Sequence, residues 1–215
     1  MTDKPILFSG PMVRAILEGR KSQTRRVLHQ WKSMPAPHSV VLQNNTCVCR
    51  WLSGARQDIA APKKEGDRLW VREAWSGQYV FKDTPPSKRE DFAWEGIPYF
   101  KEDIWYWADG SPEFGDWERG RPSIHMPKWA SRLTLLVTDV RVERLQDISM
   151  EDAIAEGCSG YVSKDGEDGE SPQEQFHDLW NSINTDSGKT WEDNPWVACY
   201  SFDVIHSNID MLEAA

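Results

Sequence analysis

The chain has 215 residues and a mass of 24.8 kDa, with 39% hydrophobic and 27% charged residues, enough for one elaborated domain but not for several large ones. Its net charge of −9 is unevenly spread: residues 1–30 hold six Lys/Arg against two Asp/Glu, residues 31–148 hold seventeen of each, and residues 149–215 hold two against fifteen. That distribution argues against a wide basic face for long nucleic acid, the lack of any run of eighteen apolar residues argues against a membrane span, and the short apolar stretch in MTDKPILFSG argues against a signal peptide.

Ser9-Gly10-Pro11 reads as a helix start, with Pro11 in the first turn, and Met12, Val13, Ile16 and Leu17 share one helical face. Gly19 is a natural stop. Lys21, Thr24, Arg25 and Arg26 then fall just beyond the helix or on its last frayed turn, where cations complement the helix dipole. Residues 33–66 read as loop and short strands. Lys64-Glu65-Gly66-Asp67 is turn chemistry, and Arg68–Trp75 a strand. Leu69, Val71, Glu73 and Trp75 lie on one face of that strand, and Arg68, Trp70, Arg72 and Ala74 on the other. If the first face is the inner one, Glu73 puts a carboxylate into an apolar interior, where burial raises its pKa unless a cation or donor meets it.

Residues 76–123 read as an insertion, aromatic, charged and weak in periodicity, with Asp109-Gly110 turning a hairpin from Ile104–Trp107 to a later strand. Six of the twelve tryptophans, from Trp75 to Trp129, fall in or beside it. They stack on a base or supply a core to an irregular segment. A strand follows from Ser131, changing parity near Asp139. Ser149 caps a short helix closed by Gly157. Residues 159–171 read as an exposed loop, Phe176, Leu179, Trp180 and Ile183 as one face of a helix, and Trp196–Val204 as a final alternating strand. The pattern is that of an α+β fold or a small curved barrel.

Cys47, Cys49, Cys158 and Cys199 have no CxxC spacing, and reduced thiols are expected. His29, His38, His125, His177 and His206 are scattered without ligand spacing, so neither metal nor cofactor is expected. Signatures for phosphate loops, dinucleotide folds, zincins and serine hydrolases are missing. Lys21, Thr24 and Glu73 remain. A lysine and a threonine three apart can face each other across one helical turn. A lysine of depressed pKa can take the proton of a hydroxyl and make Thr24 Oγ a nucleophile, and a partly protonated carboxylic acid can serve a leaving amine.

Ile16–Arg26, ILEGRKSQTRR, resembles the GxKxxTxR signature of the ASCH domain family, and Gly66–Glu73, GDRLWVRE, resembles the strand that follows it there. The strand from Ser131, the helix after it and the last strand are in the same order, while IHMPKWASR at 124–132 is similar to longer ASCH-type proteins carried by phages. The resemblance implies a single PUA-like domain over 1–215, a curved β-barrel with a few short helices, enlarged at 76–123 and 159–171. It implies an amidohydrolase of N4-acetylcytidine or a related acylated pyrimidine nucleoside, with Lys21 as proton acceptor, Thr24 as nucleophile and Glu73 as proton donor, working in the cytoplasm without metal. Arg26 would orient Glu73 or bind a substrate carbonyl, and Arg25, Trp70 and Trp75 join it as candidate substrate contacts. The alternatives are a PUA-like reader of RNA or a modified base through a local nucleic-acid contact, a ribonuclease, and a phage interaction protein without catalysis.

Overall fold

The computed structural model describes residues 3–28, 36–162 and 169–213; His29 and the middle of the expected 159–171 loop lie outside them. In chain order the elements are β1 (Asp3–Leu7), α1 (Gly10–Leu17), β2 (Gln23–Val27), β3 (Ser39–Gln43), β4 (Thr46–Arg50), β5 (Arg56–Ala60), β6 (Arg68–Arg72), β7 (Trp75–Gly77), β8 (Phe92–Trp94), β9 (Ile97–Tyr99), β10 (Ile104–Tyr106), β11 (Thr134–Arg144), α2 (Met150–Ala155), β12 (Tyr161–Val162), β13 (Gly169–Glu170), α3 (Pro172–Ile183) and β14 (Trp196–Ile205). The chain is α+β, mostly sheet with a few short helices. No pairing among the described residues closes the strands into a ring, so the expected barrel is not a closed one. Most of the strands have three to five residues and are divided among separate ladders, which cannot supply the continuous staggered pairing of a closed barrel.

The backbone gathers into two units interleaved in sequence. The first comprises Met1–Glu18, Arg68–Leu136 and Val204–Ala215. In it β1 runs parallel to β6, Asp3 opposite Arg68 through Leu7 opposite Arg72, and β6 pairs antiparallel with the start of β11. The α1 helix starts where expected, with Ser9 extended at its cap and a proline in the first turn, and it buries Val13, Ala15 and Ile16. Leu69, Val71, Glu73 and Trp75 are buried, as the strand parity requires.

Within 76–123 the expected hairpin gives way to a different pairing. β10 pairs back onto β7, Ile104 opposite Gly77, and residues 107–109 form a single tight turn of helix. The hairpin of this segment joins β8 to β9, with Glu95 and Gly96 both at positive φ, a two-residue turn whose twist suits paired strands. The segment is pinned from within by Glu118. Its carboxylate accepts from the Gly77 amide at 2.9 Å, Arg89 at 2.8 and 2.9 Å, and Arg121 at 2.7 Å.

The second unit comprises Gly19–Asp67 and Val137–Asp203. Here β14 pairs antiparallel with β2, Cys199 opposite Arg25 and Tyr200 opposite Thr24. β3, β4 and β5 form a separate antiparallel meander, whose first turn is Asn44-Asn45 with both φ angles positive. Near Asp139, where a parity change is expected, Thr138 and Asp139 are exposed in succession along β11, and the residues from Val140 to Arg144 are all half-buried without alternation. A core of Leu145, Ile148, Ala153, Cys158, Phe176, Trp180, Val197 and Cys199 joins the two helices to the strands of this unit. Ser149 caps α2, and Ser171 with Glu174 forms a reciprocal capping box on α3. All four cysteines are buried free thiols.

Candidate functional site

Gly19 leaves α1 in the left-handed region, φ +71°, and the chain turns into β2 rather than fraying. Lys21 and Thr24 are therefore not one helical turn apart, which corrects the geometry expected for them. On a strand, Thr24 and Arg26 point to one face and Gln23 and Arg25 to the other. The cationic stretch is not a solvated helix end either. Lys21 is 1% exposed and Thr24 2%. Main-chain bonds fix the turn, from the Ser22 amide to the Ala155 carbonyl and from the Phe202 amide to the Ser22 carbonyl.

What makes this burial possible is a set of carboxylates that the sequence reading did not single out. Lys21 Nζ donates to Glu156 Oε2 at 2.5 Å and to the Glu156 main-chain oxygen at 2.8 Å, at the C-terminal end of α2. Arg25 donates to Glu143 Oε1 at 2.7 Å, Asp152 Oδ2 at 2.8 Å and Glu156 Oε1 at 3.3 Å, and also to Gln23 Oε1. Asp152 accepts in addition from Arg141 and Gln23. Buried ions survive only when paired and hydrogen-bonded in this way. Glu156 thus brings Lys21 and Arg25 together, and Arg26 joins them electrostatically, being felt by Lys21 as a like charge and attracted by Glu156. Burial is the largest influence on Lys21 and lowers its pKa; Glu156 opposes that shift without cancelling it, and Arg26 adds to it. The neutral amine is favoured relative to a lysine in water.

Glu73 belongs to the first unit, just beyond β6, and is 1% exposed. The cation that meets it is Arg132, in a two-pronged contact: Nε to Oε1 at 2.9 Å and Nη2 to Oε2 at 3.0 Å. Arg132 turns its remaining donors to Asp109, at 2.7 and 2.8 Å, and lies 4.1 Å from the centre of the Tyr106 ring. Burial raises the Glu73 pKa, Arg132 pulls it down, and Asp109 adds to the rise; the net shift is upward. Such a carboxyl is poised to hold a proton more readily than one in water. Strand parity predicts the burial of Glu73 and the need for a donor, but nothing in the spacing singles out Arg132, 59 positions away.

The remaining candidates are differently placed. Trp70 is half-buried on the opposite face of β6, with the Arg72 guanidinium 5.2 Å from its ring centre. Trp75 is fully enclosed, edge-on to Trp129, with the Arg89 and Arg121 guanidinium groups 5.5 and 5.9 Å from its ring centre. Among the described residues no three His, Cys, Asp or Glu side chains converge as a metal site would require.

No protein-family model, no curated protein and no solved structure matches this chain.

Proposed function

We propose that the chain is an ASCH-type, PUA-like amidohydrolase that releases cytidine from N4-acetylcytidine or a closely related acylated pyrimidine nucleoside. Thr24 Oγ attacks the acyl carbon and its proton passes to Lys21 in its deprotonated form, toward which burial biases the amine. The bond from the acyl carbon to N4 breaks as Glu73 gives its proton to the departing nitrogen. Water then hydrolyses the threonine ester, releasing acetate and regenerating the hydroxyl. Arg26 is assigned to the substrate carbonyl.

The observation that carries this reading is the pair of opposite pKa shifts. The expected proton acceptor, Lys21, is biased by burial toward its neutral form, and the expected donor, Glu73, is biased by burial toward its protonated form. Each shift runs in the direction its role needs, and environments that push two titratable groups in these directions support acid and base assignments. The Glu156 carboxylate beside Lys21 can share the proton that Lys21 gains.

The test is incubation of the purified protein with N4-acetylcytidine, and with N4-acylcytidines of longer acyl chain, following cytidine by chromatography. Turnover unchanged by a strong chelator is expected, with loss of activity in Thr24→Ala. Failure of the wild-type protein to release cytidine from any of these substrates overturns the reading.

A further inference from the structure

The 76–123 segment lines an open cavity of about 560 Å³, a size suited to a small-molecule ligand. All its lining residues belong to the first unit, and none has a role in the hydrolysis proposed above. Its walls are aromatic: Tyr79, Trp94, Tyr99 and Trp117. Two of them are well exposed, Trp94 at 60% and Tyr79 at 43%, so they are not consumed by a core.

Its polar groups are mostly acceptors. Asp83 and Asp116 contribute two carboxylates against the single cation Lys82, a net charge of −1. Gln78 also lines the cavity, but its Nε2 donates to Asp103 Oδ2 at 2.9 Å and its Oε1 is buried away from the open space.

Lys82 shows what the cavity holds well. Its ammonium lies 4.2 Å from the centre of the Tyr79 ring and donates to Tyr79 Oη at 2.7 Å. That hydrogen bond is the main cause of its raised pKa, to which Asp83 and Asp116 contribute. A cation against a ring face with carboxylates nearby is a favourable arrangement in its own right, and here an exposed, flexible side chain of the protein occupies it.

From these observations we infer that the cavity is a binding site for a flat organic cation bearing N–H groups, of the amidinium or guanidinium class, which stacks on the aromatic walls, donates to the carboxylates, and displaces Lys82. Phosphate-bearing ligands are disfavoured by the two aspartates. The inference is independent of the amidohydrolase reading and uses none of its residues.

The test is calorimetric titration of the full chain at low salt with three molecules of nearly one shape: benzamidine, benzamide and benzoate. Benzamidine should bind about tenfold or more tightly than benzamide, with benzoate weakest. Asp116→Asn should weaken benzamidine about tenfold, and Trp94→Ala should weaken benzamidine and benzamide together. Lys82→Ala should tighten benzamidine, because the competing internal cation is gone, and a gain in affinity cannot arise from misfolding. Benzoate binding as well as benzamidine, Lys82→Ala weakening benzamidine, or no benzamidine binding at millimolar concentration each overturns the inference. All three substituted side chains are exposed or line the surface of the cavity, and circular dichroism of each variant verifies that the fold is intact.

Discussion

At Lys21 two large effects oppose each other: burial disfavours the ammonium, and Glu156 at 2.5 Å favours it. Removing one partner of a buried pair leaves the other uncompensated, at a typical cost of about 3–5 kcal/mol. Glu156→Ala should therefore lower unfolding stability in urea by about 3 kcal/mol, and a loss below about 1 kcal/mol would show that Lys21 does not depend on it. Glu73 makes a prediction about pH. Its folded-state pKa is raised chiefly by burial, against the pull of Arg132, so the folded protein holds this proton more tightly than the unfolded chain. The associated stability is present at low pH and lost as pH climbs from the ordinary carboxylate value, 4.5, through the raised one. Wild-type stability relative to Glu73→Gln should thus fall over that window, by at most about 1.4 kcal/mol per pH unit; a difference that rises with pH would contradict the assignment. The two residues were unequally legible. A period-two pattern is enough to bury Glu73, whereas Lys21 owes its burial to a carboxylate 135 positions away, which no local pattern encodes.

At the scale of elements, the helices were the most legible parts, because their signals are local: Ser9 and a first-turn proline for α1, Ser149 for α2, and an apolar face for α3. Strand partners were not. Asp109-Gly110 looks like a hairpin turn, yet β10 turns back to pair with β7, since three-residue strands take their partner from the surrounding packing rather than from their own turn. The Asn44-Asn45 turn of the β3–β4 hairpin lies within the stretch that reads as loop and short strands, although asparagine tolerates positive φ better than most residues. The opening stretch has the same origin: four cations after a glycine look like a helix end, while pairing with β14 puts Arg25 and Arg26 on a strand. In the 76–123 segment Gly77 has the tightest surroundings of its glycines. A β-carbon at Gly77 would overlap the Arg89 guanidinium that holds Glu118. Gly77→Ala should destabilise the protein by about 1–3 kcal/mol in denaturant, whereas Gly96→Ala, at an open turn position, should not disturb the Arg89–Glu118 pair.

At the scale of the whole chain, the charge asymmetry acquires a structural meaning. The N-terminal cations and the acidic C-terminal third meet inside the second unit, where Lys21 and Arg25 face Asp152 and Glu156. A net total does not disclose this, because it separates charges by sequence and not by neighbourhood. The division into two interleaved units was equally hidden, since both are assembled from segments distant in the chain. The functional account makes one demand on the whole molecule: Lys21, Thr24 and Glu73 must serve a single reaction. Groups that act as a unit lose activity non-additively. The most direct measurement is the rate of cytidine release from N4-acetylcytidine by the wild type, by Lys21→Ala, Thr24→Ala and Glu73→Ala, and by the triple variant. The expected result is a loss of about 100-fold or more for each single change, with the triple variant little worse than the poorest single; wild-type turnover surviving the Lys21 and Thr24 changes, or losses that multiply independently, would contradict it.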